Sequence, residues 1–165
     1  MIQITIRPAT LSDLDRCTSI EATCFKPSEA ATRERIQARI EQFPQGFYLA
    51  ECDGRAAGMV NACATDSDDL SQDDLKKMVG HDDGGKNMVI FSLAVLPQFQ
   101  GKGIARRLMQ HFIDRSREMK KTRILLLCKD YHIEFYRNLG YRHGGLSQSC
   151  HGGFAWHEMI YDLRK

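Results

Sequence analysis

Ile2, Ile4 and Ile6 alternate with polar neighbours, a period of two that predicts a strand over residues 2–7. The period then lengthens. Leu14, Cys17 and Ile20 fall at helical spacing, so a helix is expected to about Thr23, with Ser12 in place to cap it. Pro27 interrupts the chain, and Ser28 is positioned to cap a second helix that runs to about Gln42, before Pro44 and Gly46. Strand-like runs at 47–52 and 56–64 flank Asp53-Gly54, a dipeptide suited to the left-handed backbone of a tight hairpin. Residues 88–96 are apolar almost throughout, as in a strand covered on both faces, and Pro97 stops them. Ile104, Leu108, Met109, Phe112 and Ile113 recur at helical spacing and predict a helix from Gly103 to about Met119. A buried strand at 124–128, a short helix at 131–139 closed by Gly140, and a last strand at 154–163 complete the pattern.

Residues 65–87 break this regularity. They hold seven aspartates and three glycines, and only Leu70, Leu75, Met78 and Val79 offer one short helix an apolar side. The expected order is βααββ, a loop, βαβα and a final β, which is a mixed α/β domain. A chain of 165 residues suits one domain, so 1–165 is taken as a single unit of function. A formal net charge of +2 gives no reason to expect nucleic acid or a membrane as partner. Nothing near the N-terminus reads as a secretory leader, and no apolar run is long enough to span a bilayer. None of the six cysteines, at 17, 24, 52, 63, 128 and 150, forms a C-x-x-C pair, and three lie in or beside apolar strand runs. There a thiol serves as a small apolar residue, so a reduced, cytoplasmic protein is expected.

The chemistry concentrates in residues 93–107, LAVLPQFQGKGIARR. A buried strand runs into Pro97, a polar turn follows, and Gln100-Gly101-Lys102-Gly103-Ile104-Ala105 opens a helix. Small residues at 101, 103 and 105 allow a ligand close to the backbone. The unpaired N–H groups and positive end of the helix attract an anion, and Lys102, Arg106 and Arg107 add full charges. Together they suit a diphosphate-containing ligand. Arg106 stands where a dinucleotide fingerprint needs its third glycine, and no Gly-Lys-Ser/Thr ending is present, so neither of those motifs applies.

This segment resembles the acetyl-CoA motif of the GNAT superfamily of N-acetyltransferases, Gln/Arg-x-x-Gly-x-Gly/Ala, matched by Gln100, Gly103 and Ala105 and, in a shifted register, by Gln98, Gly101 and Gly103. Residues 128–141, CKDYHIEFYRNLGY, resemble the family's later helix, with its aromatic FY pair and Gly-aromatic turn. The resemblance implies the family's single-domain fold: a mixed, mostly antiparallel central sheet, splayed after the fourth strand and flanked by helices. It implies acetyl-CoA as co-substrate, held by Leu93, Ala94, Val95, Gln100, Gly101, Lys102, Gly103, Ile104, Ala105, Arg106 and Lys129. The Val95 N–H would face the thioester oxygen, and Tyr136 would donate a proton to the leaving thiolate. Glu21-Ala22-Thr23-Cys24-Phe25, the Phe43-Pro44 break and the tail Ser149-Cys150-His151-Gly152-Gly153 with Trp156 resemble the arylalkylamine branch and its microbial relatives, among which are enzymes acting on polyamines. The animal enzymes of that branch carry two histidines on the strand before LAV; Val89 and Phe91 stand there in this chain.

The substrate expected on this basis is a small amine, with Phe25, Phe43 and Trp156 as its aromatic contacts. A protein N-terminus, a lysine side chain, or a non-catalytic acyl-CoA sensor are the alternatives, and a homodimer is left open. An alkylamine with a pKa near ~10.4 pays about 4–5 kcal/mol to be neutral near pH 7. A base is therefore useful, and His132, four residues before Tyr136, and His151, between polar and glycine residues, are the candidates. Ser92 could hold a water, and the aspartates of 65–87 could attract a cation through their summed field. His151, His157 and Cys150 lack a spaced fourth ligand, so no metal is expected.

Overall fold

The computed structural model describes residues 2–71, 73–149 and 151–164. The chain folds into two compact units, one of Met1–Ala62 with Ser92–Phe112 and the other of Cys63–Phe91 with Ile113–Lys165.

In the first unit β1 (Ile4–Pro8) pairs antiparallel with β2 (Phe47–Cys52), and β2 with β3 (Arg55–Thr65). Asp53 and Gly54 both take positive φ, 51° and 81°, and make the expected hairpin. The C-terminal half of β4 (Asn87–Val95) follows β3 in the strand order. A Cβ on Gly58 would lie 2.6 Å from the Ala94 carbonyl oxygen, so only glycine allows β3 so near the end of β4. The Leu96 N–H closes this approach by donating to the Ala57 carbonyl at 2.8 Å.

Helices α1 (Leu14–Cys24) and α2 (Arg33–Gln42) contribute Leu14, Cys17, Ile20, Ile36 and Ile40 to a core shared with Phe47, Leu49 and Met59. Each large apolar side chain buried there contributes about 1.5–3 kcal/mol. Helix α3 (Ile104–Glu118) buries Ile104, Leu108, Met109 and Phe112. Two helix starts differ from expectation. Ser12 lies inside a 3-10 turn, Leu11–Asp13, where the Asp13 carboxylate accepts from the Thr10 N–H at 2.9 Å; α1 begins after it. Thr32, not Ser28, caps α2, because the Lys26 carbonyl already accepts from the N–H groups of Glu29 and Ala30 in a separate turn.

In the second unit the N-terminal half of β4 pairs parallel with β5 (Arg123–Cys128), from Asn87↔Arg123 to Ile90↔Leu126. Beyond it the order is β5-β7-β6, with β7 (His157–Asp162) antiparallel to both neighbours. Strand β6 (Arg142–Leu146) has no counterpart in the expected order, and the last strand starts at His157 rather than 154. Gly144-Gly145 gives β6 no side-chain pattern of its own; pairing with β7, across a bulge, makes it a strand. Helix α4 (Ile133–Asn138) follows a 3-10 turn at Asp130–His132. Gly140, at φ 107°, ends this helical segment where a Cβ would press on the Tyr161 ring at 2.9 Å. Among the described residues no helix is long and apolar enough to cross a membrane.

Candidate functional site

The first unit carries the glycine turn. β4 ends at Val95, a 3-10 turn covers Pro97–Phe99, and α3 begins at Ile104. Gly101 and Gly103 both adopt φ of 79°, and neither has an atom within 4 Å of where a Cβ would sit. Side-chain bulk is thus excluded by backbone conformation, not by crowding, and the space above the turn is open. The Arg107 N–H finds the Gly103 carbonyl at 3.1 Å; the N–H groups at the start of the helix precede that first bond. Lys102, Arg106 and Arg107 are exposed. A diphosphate suits this turn: its negative charge complements the N–H groups and the cations, and the backbone is open to it at both glycines.

The Val95 carbonyl is held from two sides. Gln100 Nε2 donates to it at 3.1 Å and the Cys24 thiol at 3.4 Å. The Cys24 thiol is pushed above its ordinary pKa by burial and by the Glu21 carboxylate. Leu93 and Ala94 lie on β4, half-buried and buried, and Ala105 is half-buried in the first turn of α3. Ser92 is engaged by protein: its hydroxyl donates to Glu21 Oε1 at 2.7 Å. Phe25 packs half-buried against the α1/α2 core. Phe43 is 1% exposed, with its ring where a Cβ of Gly46 would fall, so it fills the core.

The second unit carries the later motif. Tyr136 is buried on α4, its ring edge-on to Phe135 and Tyr141 at 5.1 and 5.4 Å. Burial, with a smaller contribution from Cys128, raises its phenol well above the ordinary tyrosine pKa, so it stays protonated through physiological pH. The neighbouring Cys128 thiol is itself pushed up to about 11, chiefly by burial. Among the described residues no hydrogen bond joins Tyr136 to His132. The His132 ring instead lies beside Tyr131 at 4.5 Å. Solvent reaches His132, yet its pKa is lowered by partial desolvation and then by the Lys129 charge, which favours the neutral, proton-accepting ring.

Lys129 Nζ sits 3.9 Å from the Phe154 ring centroid and 5.8 Å from that of Trp156. The Trp156 indole N–H donates to the His151 carbonyl at 2.8 Å, which pins the turn that carries His151. His151 Nδ1 lies 3.9 Å from Asp73. His157 is bonded to His143, ring nitrogen to ring nitrogen, at 2.9 Å. Cys150 lies outside the described residues. Among those described, no three His, Cys, Asp or Glu side chains are grouped to hold a metal.

The aspartates of 65–87 bond largely within their own segment. Asp66 accepts from the Lys86 N–H at 3.0 Å, Asp69 from Ser71 and Asp82 from the Gly84 N–H at 2.9 Å. His81 accepts at Nδ1 from the Ala64 N–H and so donates from Nε2 to Asp83 at 2.6 Å. The buried Lys121 ammonium donates to the carbonyls of Asp83 and Gly85, each at 2.6 Å. Its pKa is lowered, because desolvation outweighs the opposing pull of Asp83, Asp82 and Asp66.

Sequence reasoning quoted Glu21 within the 21–25 segment but gave it no role of its own. It follows Ile20 on the buried side of α1, four residues after Cys17 and seven after Leu14, with 3% exposure. A carboxylate that continues an apolar stripe was the available signal.

The family model described as Acetyltransferase (GNAT) family matches residues 14–141. Two curated relatives come from Bacillus subtilis strain 168. The uncharacterized N-acetyltransferase YkwB is 24% identical over 133 residues, covering 74% of this chain and 59% of its own length. The probable hydrolase YhcX is 25% identical over 131 residues, covering 75% of this chain and 26% of its own length. The chain thus spans about three-fifths and about a quarter of these relatives. In fold, the solved GphF GNAT-like decarboxylase in complex with isobutyryl-CoA matches with a TM-score of 0.84 at 20% identity, over 97% of this chain and 100% of that one.

Proposed function

The chain belongs to the Acetyltransferase (GNAT) family, and from that premise we propose that it works as one domain that transfers an acetyl group from acetyl-CoA to the amino group of a small amine. The observation that carries this reading is the turn after β4. Two glycines at positive φ leave open space before a helix N-terminus, with Lys102, Arg106 and Arg107 exposed beside it. We assign the diphosphate to the N–H groups of Gly101–Ala105 and to these cations, the pantetheine arm to the backbone of Leu93 to Val95, and a contact further along the cofactor to Lys129. The likeness of Glu21 to Phe25, and of the Trp156 tail, to the arylalkylamine branch supports a small arylalkylamine or polyamine-like substrate, with Phe25 and Trp156 among its contacts. The buried Cys17, Cys52, Cys63 and Cys128 act as small core residues, which supports a reducing, cytoplasmic setting.

The reaction is direct attack of the free amine on the thioester carbon. The Val95 N–H holds the thioester oxygen as negative charge develops on it. Tyr136, whose raised pKa keeps it protonated, gives its phenolic proton to the departing sulfur. His132, held neutral, or His151 takes the proton that the attacking amine loses.

The test is thiol release from acetyl-CoA over a panel of arylalkylamines, polyamines and peptides. Turnover with small amines is expected. Turnover confined to peptides overturns the substrate, and no turnover with any amine alongside tight CoA binding overturns the enzyme.

A further inference from the structure

Glu21 is a carboxylate at 3% exposure on the last turns of α1, and it joins two segments that are distant in sequence. Its Oε1 accepts from the hydroxyl of Ser92 at 2.7 Å, and its Oε2 accepts from the backbone N–H of Ala31 at 2.8 Å. Ser92, also 3% exposed, lies on β4 immediately before Leu93. Ala31 lies in the connection between α1 and α2, which also carries Phe25. One helical turn beyond Glu21, the Cys24 thiol donates to the Val95 carbonyl at 3.4 Å. The end of α1 is therefore tied to β4 at both 92 and 95, and the same carboxylate holds the connection that leads into α2.

A buried carboxylate is expensive unless its oxygens are bonded. Packing α1 against this core would be met by leucine at position 21, in line with Leu14, Cys17 and Ile20. What leucine cannot do is accept from a hydroxyl and a backbone N–H together. The residue type is explained by the joining of the two segments, not by the burial.

We propose that Glu21 is a positioning residue for the transfer reaction: it sets the connection bearing Phe25 in register with the β4 residues Leu93 to Val95. This inference rests on the function proposed above, which places acyl-CoA along β4 and the amine beside Phe25. Glu21 touches neither reactant and acts through Ser92 and the Ala31 amide.

The experiment compares Glu21→Leu, Glu21→Gln and Ser92→Ala, reading kcat, both apparent KM values, the pH profile and hydrogen exchange over residues 25–32. Glu21→Leu should raise the amine KM roughly tenfold, as expected for loss of buried hydrogen bonds, leave acetyl-CoA affinity unchanged and speed exchange at the Ala31 amide. Glu21→Gln keeps a carbonyl for Ala31 and an amide for Ser92, so it should return all three readings close to wild type with the pH profile intact. If Gln is as damaged as Leu and its pH profile has lost a limb, the carboxylate exchanges protons and the positioning role is overturned. An unchanged amine KM in Glu21→Leu overturns it as well, while the proposed function stands. Should Glu21→Leu not fold, Ser92→Ala removes one tie alone and must raise the amine KM in the same direction. If the wild-type protein transfers to no amine, the functional reading fails, and an Ala31 amide still protected in Glu21→Leu then overturns the inference separately.

Discussion

The turn from Gln98 to Gly103 and the segment 65–87 are both polar, glycine-bearing and charged, but their side chains meet different surroundings. In 65–87, Asp66, Asp69 and Asp82 accept from N–H groups of their own segment, Asp83 accepts a hydrogen bond from the His81 ring, and Lys121 donates to two carbonyls. In the turn after β4, Gly101 and Gly103 face open space, and Lys102, Arg106 and Arg107 point into solvent. Seven aspartates in one loop suggest a field for a cation by number alone. Their bonding shows Asp69 and Asp82 acting as turn-formers, each accepting from the backbone N–H two residues on, and Asp66 tying the two ends of the segment through the Lys86 N–H. A charge with no backbone to serve is the better guide to a ligand.

The largest effect should come from the open turn. Gly103→Glu puts bulk and negative charge where the diphosphate is expected. It should abolish the ~2.7 kcal/mol that acetyl-CoA adds to stability at a hundred times its Kd, read as a lost Tm shift. Any L-residue at φ 79° is strained, so Gly103→Ala is the control: it should lower stability by about 1–2 kcal/mol and keep binding. If Gly103→Glu still binds acetyl-CoA normally, the turn is a structural corner and the contrast with 65–87 disappears.

Tyr136→Phe comes next. Loss of the acid should lower kcat about 10–100-fold, the low end for general acid catalysis because a thiolate leaves fairly well unaided, with little change in acetyl-CoA KM. The raised phenol pKa has a second consequence. The folded state keeps this proton above pH ~10, where an unfolded tyrosine loses it. The associated stability is present below about pH 10 and is lost as pH rises through the folded value. Alkaline unfolding of Tyr136→Phe should therefore be shallower than that of wild type. A wild-type kcat in the variant across the pH range would return Tyr136 to the packing residues.

The Arg7–Asp13 pair sharpens the comparison from the side of fully engaged charge. Asp13, 1% exposed, takes both guanidinium NH groups at 2.8 Å and the Thr10 N–H, and its pKa falls from 3.8 to about 2. The Arg7 hydrogen bond is the main cause. This stability is present above the unfolded carboxylate range and is lost as pH falls from about 4 through about 2. At about 1.36 kcal/mol per pK unit it amounts to about 2 kcal/mol. Urea unfolding of Asp13→Asn should show that loss at pH 7 and little difference from wild type near pH 2. An equal deficit at both pH values would assign the effect to packing.

Legibility followed physical cause. Strands 47–52 and 123–128 and helix α3 were readable because apolar periodicity is itself the force that forms them. The glycine turn was readable because positive φ selects glycine, whatever the surrounding fold. Strand β6 was not, because Arg142–Leu146 has no pattern without β7 beside it. Thr32 could not be chosen over Ser28 locally, since either hydroxyl can cap and the intervening Lys26 turn decides. The resemblance of the Phe43-Pro44 break made Phe43 an expected ligand contact, but only three-dimensional packing reveals that it closes over Gly46. The bonding role of Glu21 was hidden for the opposite reason: its partners lie 10 and 71 residues away.

The smallest effect tests the engaged loop directly. Asp66→Asn removes a charge and keeps an oxygen for the Lys86 N–H; Asp66→Ala removes both. If Asp66 serves its own backbone, Asn should be nearly neutral, and Ala should lower stability by about 1 kcal/mol, the usual net value of one hydrogen bond. The KM for polyamines and for amines with uncharged tails should then stay equal in both variants. If its field steers a cationic substrate, Asn and Ala should both raise the polyamine KM alone, and low salt should enlarge the difference, because a Debye length of ~10 Å at 0.1 M ionic strength reaches ~30 Å at 0.01 M. Extending the series to Asp66, Asp68 and Asp69 together multiplies any field effect, whereas the backbone effect saturates with the bonds that are broken. A salt-dependent, polyamine-selective rise in the triple Asn variant would mean that these carboxylates both build the loop and select the substrate.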